Sequence, residues 1–598
     1  MSNRIKNSLR AVPALALVLA LVLGAMPAFA SDTEITLTSL MQETEPVTYY
    51  IAIHGGSLIS TLDPQVATDS VSIDFIENLF LGLTNVNAET TEIEAELATA
   101  WSYDADTYTW TFTIRDDVPW VHWDPVAGEL TEVRKVVAGD FVDGIRRACD
   151  PNNSSLYAEV VGSVIAGCSD VYGTDPEDLT PEMFESIGVA APDDTTLTIT
   201  TDGPRGYFFS MTPMWVLRAV PQEVIDEFGG GFNTEWTEPG NIVTNGPFVL
   251  DTWERGVQRI LLRNTLLPED LQGPGNVERV IDTVVEDGGT LYALYQDNQL
   301  DRAGVPSAEL QNVLNDPELS QEVVQTIELV TFYFGFAFDK PPFDDVHARR
   351  AFSASVNREL FVSEVRQGRG VPMMHFTPPG MFGSVPINEV GIDGEGIGYD
   401  PEYARSEIEA AGYPNCEGFP NIDVVTYQGA ADWAEFVQAE VENTLGCDPG
   451  IFSIEQQEFS VLLRTTSADT PTEERPNMWT LGWGPDYPDA NNWVFDAGLA
   501  CQSSNDFKRP CSEVDDLILE AQQETNPERR IELYREIEEM FFGYDGIFPV
   551  MPLFMRAGFA QLKPWLDFPI ETDILFGGEH WDYVTIDQEM QLAARAGS

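Results

Sequence analysis

The run Thr331-Phe-Tyr-Phe-Gly-Phe-Ala-Phe338 limits the architecture more than any other stretch of this chain. A short, unbroken aromatic run reads as a buried strand. Phe548-Pro-Val-Met-Pro-Leu-Phe554 reads the same way near the far end. Around these two runs, strand and helix patterns alternate. Val47 to Ile53, Tyr108 to Ile114, Leu197 to Thr200, Ile422 to Tyr427 and Met478 to Leu481 carry strand composition. Ser72 to Leu83, Ala348 to Val356, Tyr403 to Ala411 and Trp433 to Leu445 carry helical periodicity. Gly139-Asp140 reads as the cap of a helix over Phe141 to Arg147. Pro527 to Phe542 reads as a long amphipathic helix with Ile531, Tyr534, Ile537 and Phe541 on its inner face. A Pro/Gly-rich loop covers 372–400. Alternation without a short repeat is the α/β pattern, and 598 residues suffice for two to four domains.

The charge is extreme: 98 acidic against 32 basic residues, a formal −66. Nucleic acid and anionic membrane both need a basic surface, so neither is expected as a partner. The first residues form a secretory signal peptide, residues 1–30: Arg4, Lys6 and Arg10, then an apolar stretch from Ala11 to Ala25, then Ala28-Phe29-Ala30. Residues 31–45 are a Ser-, Thr- and Glu-rich flexible lead. Export places the six cysteines in an oxidising compartment. They fall into three local pairs, which predict three disulfides: Cys149 with Cys168, Cys416 with Cys447, and Cys501 with Cys511. The histidines at 54, 122, 347, 375 and 580 are scattered and fit no metal pattern.

Gly482-Trp-Gly-Pro-Asp486-Tyr-Pro-Asp489 follows the strand from Met478 to Leu481. Pro485 and Pro488 fix φ and forbid a helix, so the loop is stiff. An acid and an indole held on such a loop suit a cationic or amphipathic ligand.

In order, the turn Leu62-Asp63-Pro64, the strand Tyr108-Thr-Trp-Thr-Phe-Thr-Ile114, the phrase Trp236-Thr-Glu-Pro-Gly-Asn-Ile-Val-Thr-Asn245-Gly246, then Lys340-Pro-Pro-Phe-Asp-Asp-Val346, the Gly-Trp-Gly-Pro-Asp-Tyr loop and Leu562-Lys-Pro-Trp565 resemble the large substrate-binding proteins of bacterial ABC importers. The likeness is greatest to the oligopeptide-binding members and runs from about Val47 to about Trp565. It implies a two-lobed periplasmic-binding-protein fold, type II-like, with an extra inserted subdomain and a hinge of crossing strands at 331–338 and 548–554. Lobe 1 would comprise 46–83, 219–330 and 553–598, the inserted subdomain 84–218, and lobe 2 331–552. Implied partners are an oligopeptide ligand and the permease's transmembrane subunits; the protein would be a monomer, exported to the periplasm or cell surface, with no cofactor. Asp486 would bind the peptide's α-ammonium and Trp483 would line a side-chain pocket. Tyr157, Tyr487, Tyr295 and Ser70 complete the implied ligand-binding set. Members often carry an Arg three residues before the motif Trp; here that position is Thr480, and no clear partner for the ligand carboxylate stands out.

Two other readings remain. An oligosaccharide could occupy the same fold, stacked on Trp433, Trp483 and Trp493. A secreted glycoside hydrolase would need two carboxylates at a set spacing, which so acidic a chain cannot single out; no Gly-x-Ser-x-Gly, His-Glu-x-x-His or phosphate-cradling loop occurs. The charge itself carries a prediction. So acidic a chain suits a saline or otherwise demanding external medium, where salt screens the mutual repulsion of surface acids beyond roughly 10 Å at 0.1 M. The melting temperature should therefore rise as sodium chloride is raised at fixed pH; a flat or falling trace in calorimetry removes the basis for a saline setting.

Overall fold

In the computed structural model, two long strands, Val323–Phe336 and Val550–Leu562, run antiparallel through the middle of the largest sheet. The structure describes residues 45–52, 59–87, 92–230, 235–385, 397–568 and 579–597. The signal peptide, residues 31–44 of the lead, Ile53, His54 and residues 386–396 of the Pro/Gly-rich loop lie outside the described residues.

The two strands pair from Val323 opposite Gln561 to Gly335 opposite Val550. On one side the sheet continues through Met478–Trp483, Ile422–Tyr427 and Phe452–Gln457; on the other it adds Arg302–Gly304, with Val371–Pro372 also paired to Val550–Leu562. Thr331 to Phe336 are all buried. Phe332 meets Trp433 of helix Ala431–Leu445 edge-on at 5.3 Å and stacks on Phe554 at 5.0 Å. Its neighbour Tyr333 meets Phe376 and Phe507. Adjacent strand residues face opposite ways, so both faces are covered here, as the aromatic run requires. Both strands outrun their aromatic cores. Main-chain pairing carries them through Val323 to Ile327 and Ala557 to Gln561, where most side chains are partly exposed and the aromatic run has ended.

The buried side chains form two large cores. One gathers residues from Tyr49 to Val280 and takes in Trp565 and Trp581 to Ile586. The other runs from Leu329 to Met555. A small third cluster, around Tyr292, Tyr295 and Leu310, sits where the crossing strands leave the second core. The fold is thus two α/β lobes joined by crossing strands. In the first, Thr48–Ile51 lies parallel to Arg279–Thr283, and a separate sheet joins Ala98–Asp104, Thr109–Ile114, Thr196–Thr200 and Val189–Asp193.

Two local expectations are corrected. The helix over 141–147 spans Ala138–Cys149 and its cap is Val137, not Gly139-Asp140. Asp140 is drawn inside the first turn, where its carboxylate accepts from Val137 N at 3.0 Å, Trp120 Nε1 at 2.8 Å and Arg134. In helix Pro527–Phe542, Tyr534, Ile537 and Phe541 are buried as expected, but Ile531 is 38% exposed. Arg530 turns inward beside it, because Asp489 is there to receive its guanidinium.

The three disulfides pair as the sequence predicts. Cys149 is bonded to Cys168, with their Cα atoms 5.2 Å apart. Cys416 is bonded to Cys447 at a Cα separation of 4.7 Å, and Cys501 to Cys511 at 5.2 Å. Each closes a short loop inside one lobe: Cys149 and Cys168 belong to the first core, Cys416 and Cys447 to the second.

Four enclosed carboxyls set a pH dependence. Burial pushes Glu77, Asp496 and Glu538 up to about 7, and Glu96 up to about 8. In the unfolded chain the same groups titrate near 3.8 for Asp and 4.5 for Glu. Across the interval between, the native state keeps protons that the unfolded chain has released, so stability falls as pH rises. Carboxyls that arginine holds below their ordinary range, such as Asp117 beside Arg115, have finished titrating below this window. Calorimetry at constant ionic strength should therefore show the melting temperature falling from pH 5 to pH 8, and Glu96→Gln should flatten the fall. A melting temperature that climbs over this range contradicts the assignment.

Candidate ligand-binding site

The motif strand runs to Trp483, two residues beyond the expected Leu481, because Phe332 and Thr331 of the first crossing strand pair with Gly482 and Trp483. Residue 482 must be glycine: a Cβ there would lie 2.7 Å from the Phe332 ring. Beyond the strand the chain bends through Pro485 and Pro488 into a single wide turn, Asn492–Asp496. That turn returns Asn492 beneath the loop. Its Oδ1 accepts from Trp483 Nε1 at 2.9 Å and from Asp486 N at 3.2 Å. Its Nδ2 donates to Asp486 Oδ2 at 3.2 Å and Asp496 Oδ2 at 3.0 Å. One amide side chain fixes the indole, the loop backbone and two carboxylates.

Asp486 is half-buried, and its other oxygen accepts from the Tyr157 hydroxyl at 2.8 Å. Tyr157 is held edge-on against Trp215 at 4.8 Å. Burial raises the Asp486 carboxyl above its ordinary value, while Tyr157 and Asn492 pull it back. Burial, and then the Asp486 charge, push the Tyr157 hydroxyl well above the tyrosine range, so it stays a donor. The structure thus brings together Asp486, Trp483 and Tyr157 from the sequence-derived set.

Of the other three, Tyr295 and Ser70 lie elsewhere, while Tyr487 meets the same Asn492 network through Asp496. Tyr487 is buried in the first core, stacked on Tyr207 at 6.0 Å, with its hydroxyl bonded to Asp496 and Asn491. Tyr295 belongs to the third cluster; its hydroxyl donates to Glu322, and the Lys563 ammonium sits over its ring at 4.1 Å. Ser70 is the exposed first residue of helix Ser70–Leu79, which Asp69 caps.

Asp489 is a member that sequence reasoning missed. It is fully buried, both oxygens accept from Arg530 Nη2 at 2.8 and 2.9 Å, and Ser210 Oγ donates to it at 3.0 Å. Its signal was present as the second acid of the motif, but Arg530 is 41 residues away and gives no local cue. Together with Gly206 N donating to Gln522 O at 2.7 Å, these contacts join the 157–210 stretch to the motif loop and the 522 region.

A second polar group lies along the same sheet edge. Strands Ile422–Tyr427 and Met478–Trp483 run parallel and end at that edge. Trp483 lies opposite Thr331, and Thr331 opposite Met555, so Arg556 is one residue past the same level. The Arg366 guanidinium lies over Trp433 at 5.2 Å and Phe554 at 4.8 Å; that of Arg556 lies over Phe332 at 5.0 Å. Arg369 follows, over Phe559. Trp433 is therefore only 5% exposed, and Trp493 is fully buried, so neither is the stacking platform that an oligosaccharide reading needs. Thr480 is buried opposite Phe334.

Residues 92–504 match the family model of bacterial extracellular solute-binding proteins, family 5. The chain is 26% identical over 496 residues to the oligopeptide-binding protein OppA of Bacillus subtilis, covering 82% of this chain and 85% of that one. It is 25% identical over 583 residues to the periplasmic oligopeptide-binding protein OppA of Escherichia coli, covering 95% and 96%. The solved unliganded open form of the periplasmic murein tripeptide-binding protein MppA superimposes with a TM-score of 0.74 at 23% identity, over 91% of this chain and 98% of that one. The crossing strands, the two cores and the motif loop have the matching company: the chain belongs to the bacterial extracellular solute-binding proteins, family 5.

Proposed function

We propose that this chain is the exported solute-binding component of an ABC importer, capturing oligopeptides between its two lobes and delivering them to the transmembrane subunits of a permease. Its relatives are named for oligopeptide binding. The observation that carries the reading is the state of Asp486. Four enclosed aspartates of this chain take an arginine: Asp63 with Arg147, Asp282 with Arg259, Asp489 with Arg530, Asp515 with Arg509. Fully buried Asp301 is filled by Tyr50 N, Trp565 Nε1 and Gln591 Nε2, and Asp496 is held by Tyr487 and Asn492. Asp486 is held by two neutral donors, Tyr157 and Asn492. A carboxylate has about four lone-pair positions, so both oxygens can still accept from an ammonium. A peptide's free N-terminus is the cation that every peptide offers whatever its sequence.

The reading is of a binding protein, not an enzyme. The two acids nearest Asp486 are committed elsewhere, Asp489 to Arg530 and Asp496 to Tyr487 and Asn492. The oligosaccharide alternative loses support because two of its three tryptophans are enclosed. The protein works as a monomer outside the cytoplasm, after its signal peptide is removed.

Losing one partner of an enclosed charge pair costs about 2–5 kcal/mol. Asp486→Asn should therefore weaken peptide binding by roughly 30-fold or more, since 1.4 kcal/mol is tenfold. N-acetylated peptides should lose similar affinity for the unchanged protein and little more for the variant. Titration calorimetry that finds Asp486→Asn binding free and acetylated peptides as before removes Asp486 as the anchor. Tyr157→Phe, which removes only a neutral donor, should cost about 0.5–1.5 kcal/mol. Ligand should also close the lobes about the crossing strands, seen as a smaller radius of gyration in solution scattering at saturation.

A further inference from the structure

The loop that carries Asp486 holds a second carboxylate with no ion pair among the described residues. Asp496 closes the wide turn Asn492–Asp496, and Asn492 Nδ2 donates to it at 3.0 Å while donating to Asp486 at 3.2 Å. An amide nitrogen has two hydrogens, so the two acids take one each. The Asn492 and Tyr487 donors both fall on Asp496 Oδ2. Its Oδ1 accepts from no group among the described residues, and the side chain is half-buried. The other charged and titratable groups around it are already answered. Asp489 lies on the same loop, but Arg530 takes both its oxygens and Tyr534 donates to it as well. From the 205–210 stretch, Tyr207 stacks on Tyr487, with Arg205 beside it bonded to the carbonyls of Ser163 and Pro204. Tyr157 reaches only Asp486 Oδ1.

Two carboxylates that share one amide and have no arginine oppose each other's charge. Ionising both in an enclosed site is costly, and such a pair gives up its protons in two separated steps. Burial pushes Asp496 up to about 7; Tyr487 pulls it back, and the Asp486 charge adds to the rise. The bare Oδ1 is the seat for a proton, since no donor has to be displaced there and solvent can reach it. Shape alone does not account for an acid at 496. An asparagine would accept the same two bonds on one oxygen and bring no charge to oppose Asp486.

A cation seated on Asp486 changes this balance, because an opposite charge nearby favours the ionised form of both acids. We infer that capture of a peptide's ammonium by Asp486 expels a proton from Asp496, with Asn492 as the group the two acids share. The proton leaves Oδ1 for water, and no other covalent bond forms or breaks. Asp496 is a positioning residue here: it acts on the ligand through Asn492 and Asp486. Linkage is reciprocal, so protonating Asp496 weakens peptide binding by the same factor. The empty site titrates higher than the occupied one, so affinity climbs with pH until the empty site has lost its proton, near neutrality. Above that, the peptide amine, at about 7.7–8.0, begins to lose its own charge. Binding is then tightest near neutral pH, and acid releases the ligand. This rests on the peptide reading above and adds a regulation of the same site.

The test titrates alanine peptides of three to five residues into the whole mature protein by calorimetry between pH 5.5 and pH 7, where neither end of the peptide titrates appreciably. One linked proton changes affinity by at most about tenfold per pH unit, and the tightest of these peptides should gain at least about threefold across the range. Repeating the titration at pH 6.5 in two buffers of different ionisation enthalpy should show a proton released on binding. Asp496→Asn should match the unchanged protein at pH 5.5, where residue 496 is neutral in both, fall behind it at pH 7, and release no proton. Loss of affinity by the same factor at both pH values marks Asp496 as merely structural and overturns the inference. Proton release that persists in the variant, or is absent from the unchanged protein, also overturns it and leaves peptide capture intact. Should Asp496→Asn fail to fold, Tyr487→Phe serves instead: it removes a donor to the ionised carboxylate, so the climb should move to higher pH. A climb that stays in place overturns the inference. Failure of every alanine peptide to bind at any pH removes the peptide reading, and the inference with it.

Discussion

The antiparallel ladder between Val323–Phe336 and Val550–Leu562 is the constraint on which the rest of the structure depends. It fixes the register of Thr331, and through Thr331 the height of Trp483 on one side and Met555 on the other. Side chains alternate along a strand, so a slip of one residue would exchange the two faces. Phe332 would leave Trp433 and face the side now held by Tyr333, where Phe376 and Phe507 pack. The place for Gly482 against the Phe332 ring would be lost at the same time. The aromatic run is thus more than a hydrophobic filler. Its alternation locks one register, and that register delivers the motif loop and Arg556 to the same sheet edge.

The electrostatics of the interior follow from scarcity. With about three acids for each base, arginine is placed where an enclosed aspartate needs it, as with Arg530 on Asp489 and Arg509 on Asp515. A buried pair stripped of one partner is strongly destabilised, so these arginines are fixed structural requirements. Asp486, like Asp301 and Asp496, takes neutral donors instead. Its two neutral donors orient it without cancelling its charge, and its desolvation stands as a cost that a cation would relieve. Asn492 also holds Trp483 and the loop backbone, so the geometry around Asp486 is fixed by the chain itself.

The two crossing strands, the long helix from Pro527 and the three disulfides were legible because each has a local signal: aromatic content, 3.6-residue periodicity, short cysteine spacing. Asp486 and Trp483 were legible because two prolines isolate them on a stiff loop. What stayed hidden has no local signal. Asn492 is an ordinary polar residue until a wide turn brings its amide under the loop. Arg530 sits one residue from the expected apolar face of its helix, and periodicity alone favours Ile531 there; only the distant Asp489 reverses the choice. Arg366, Arg369 and Arg556 are separated by nearly two hundred residues of sequence between first and last, and only the pairing of Val371–Pro372 with Met555 and Phe554 draws them together. Trp433 illustrates the opposite error, an aromatic whose position suggested a platform but which its neighbours enclose.

The net charge and the local charges act at different ranges. A formal −66 surrounds the molecule with a field that repels anions at a distance. That field is carried by exposed acids and decays over about 10 Å at 0.1 M salt, less at higher salt. Asp486 and Arg366 are half-buried and act at contact distance, where screening is weak. Raising salt therefore weakens the long-range field before it weakens contacts made at the loop. In a saline medium the overall charge stops governing the approach to the sheet edge, and the enclosed groups there act through contact alone.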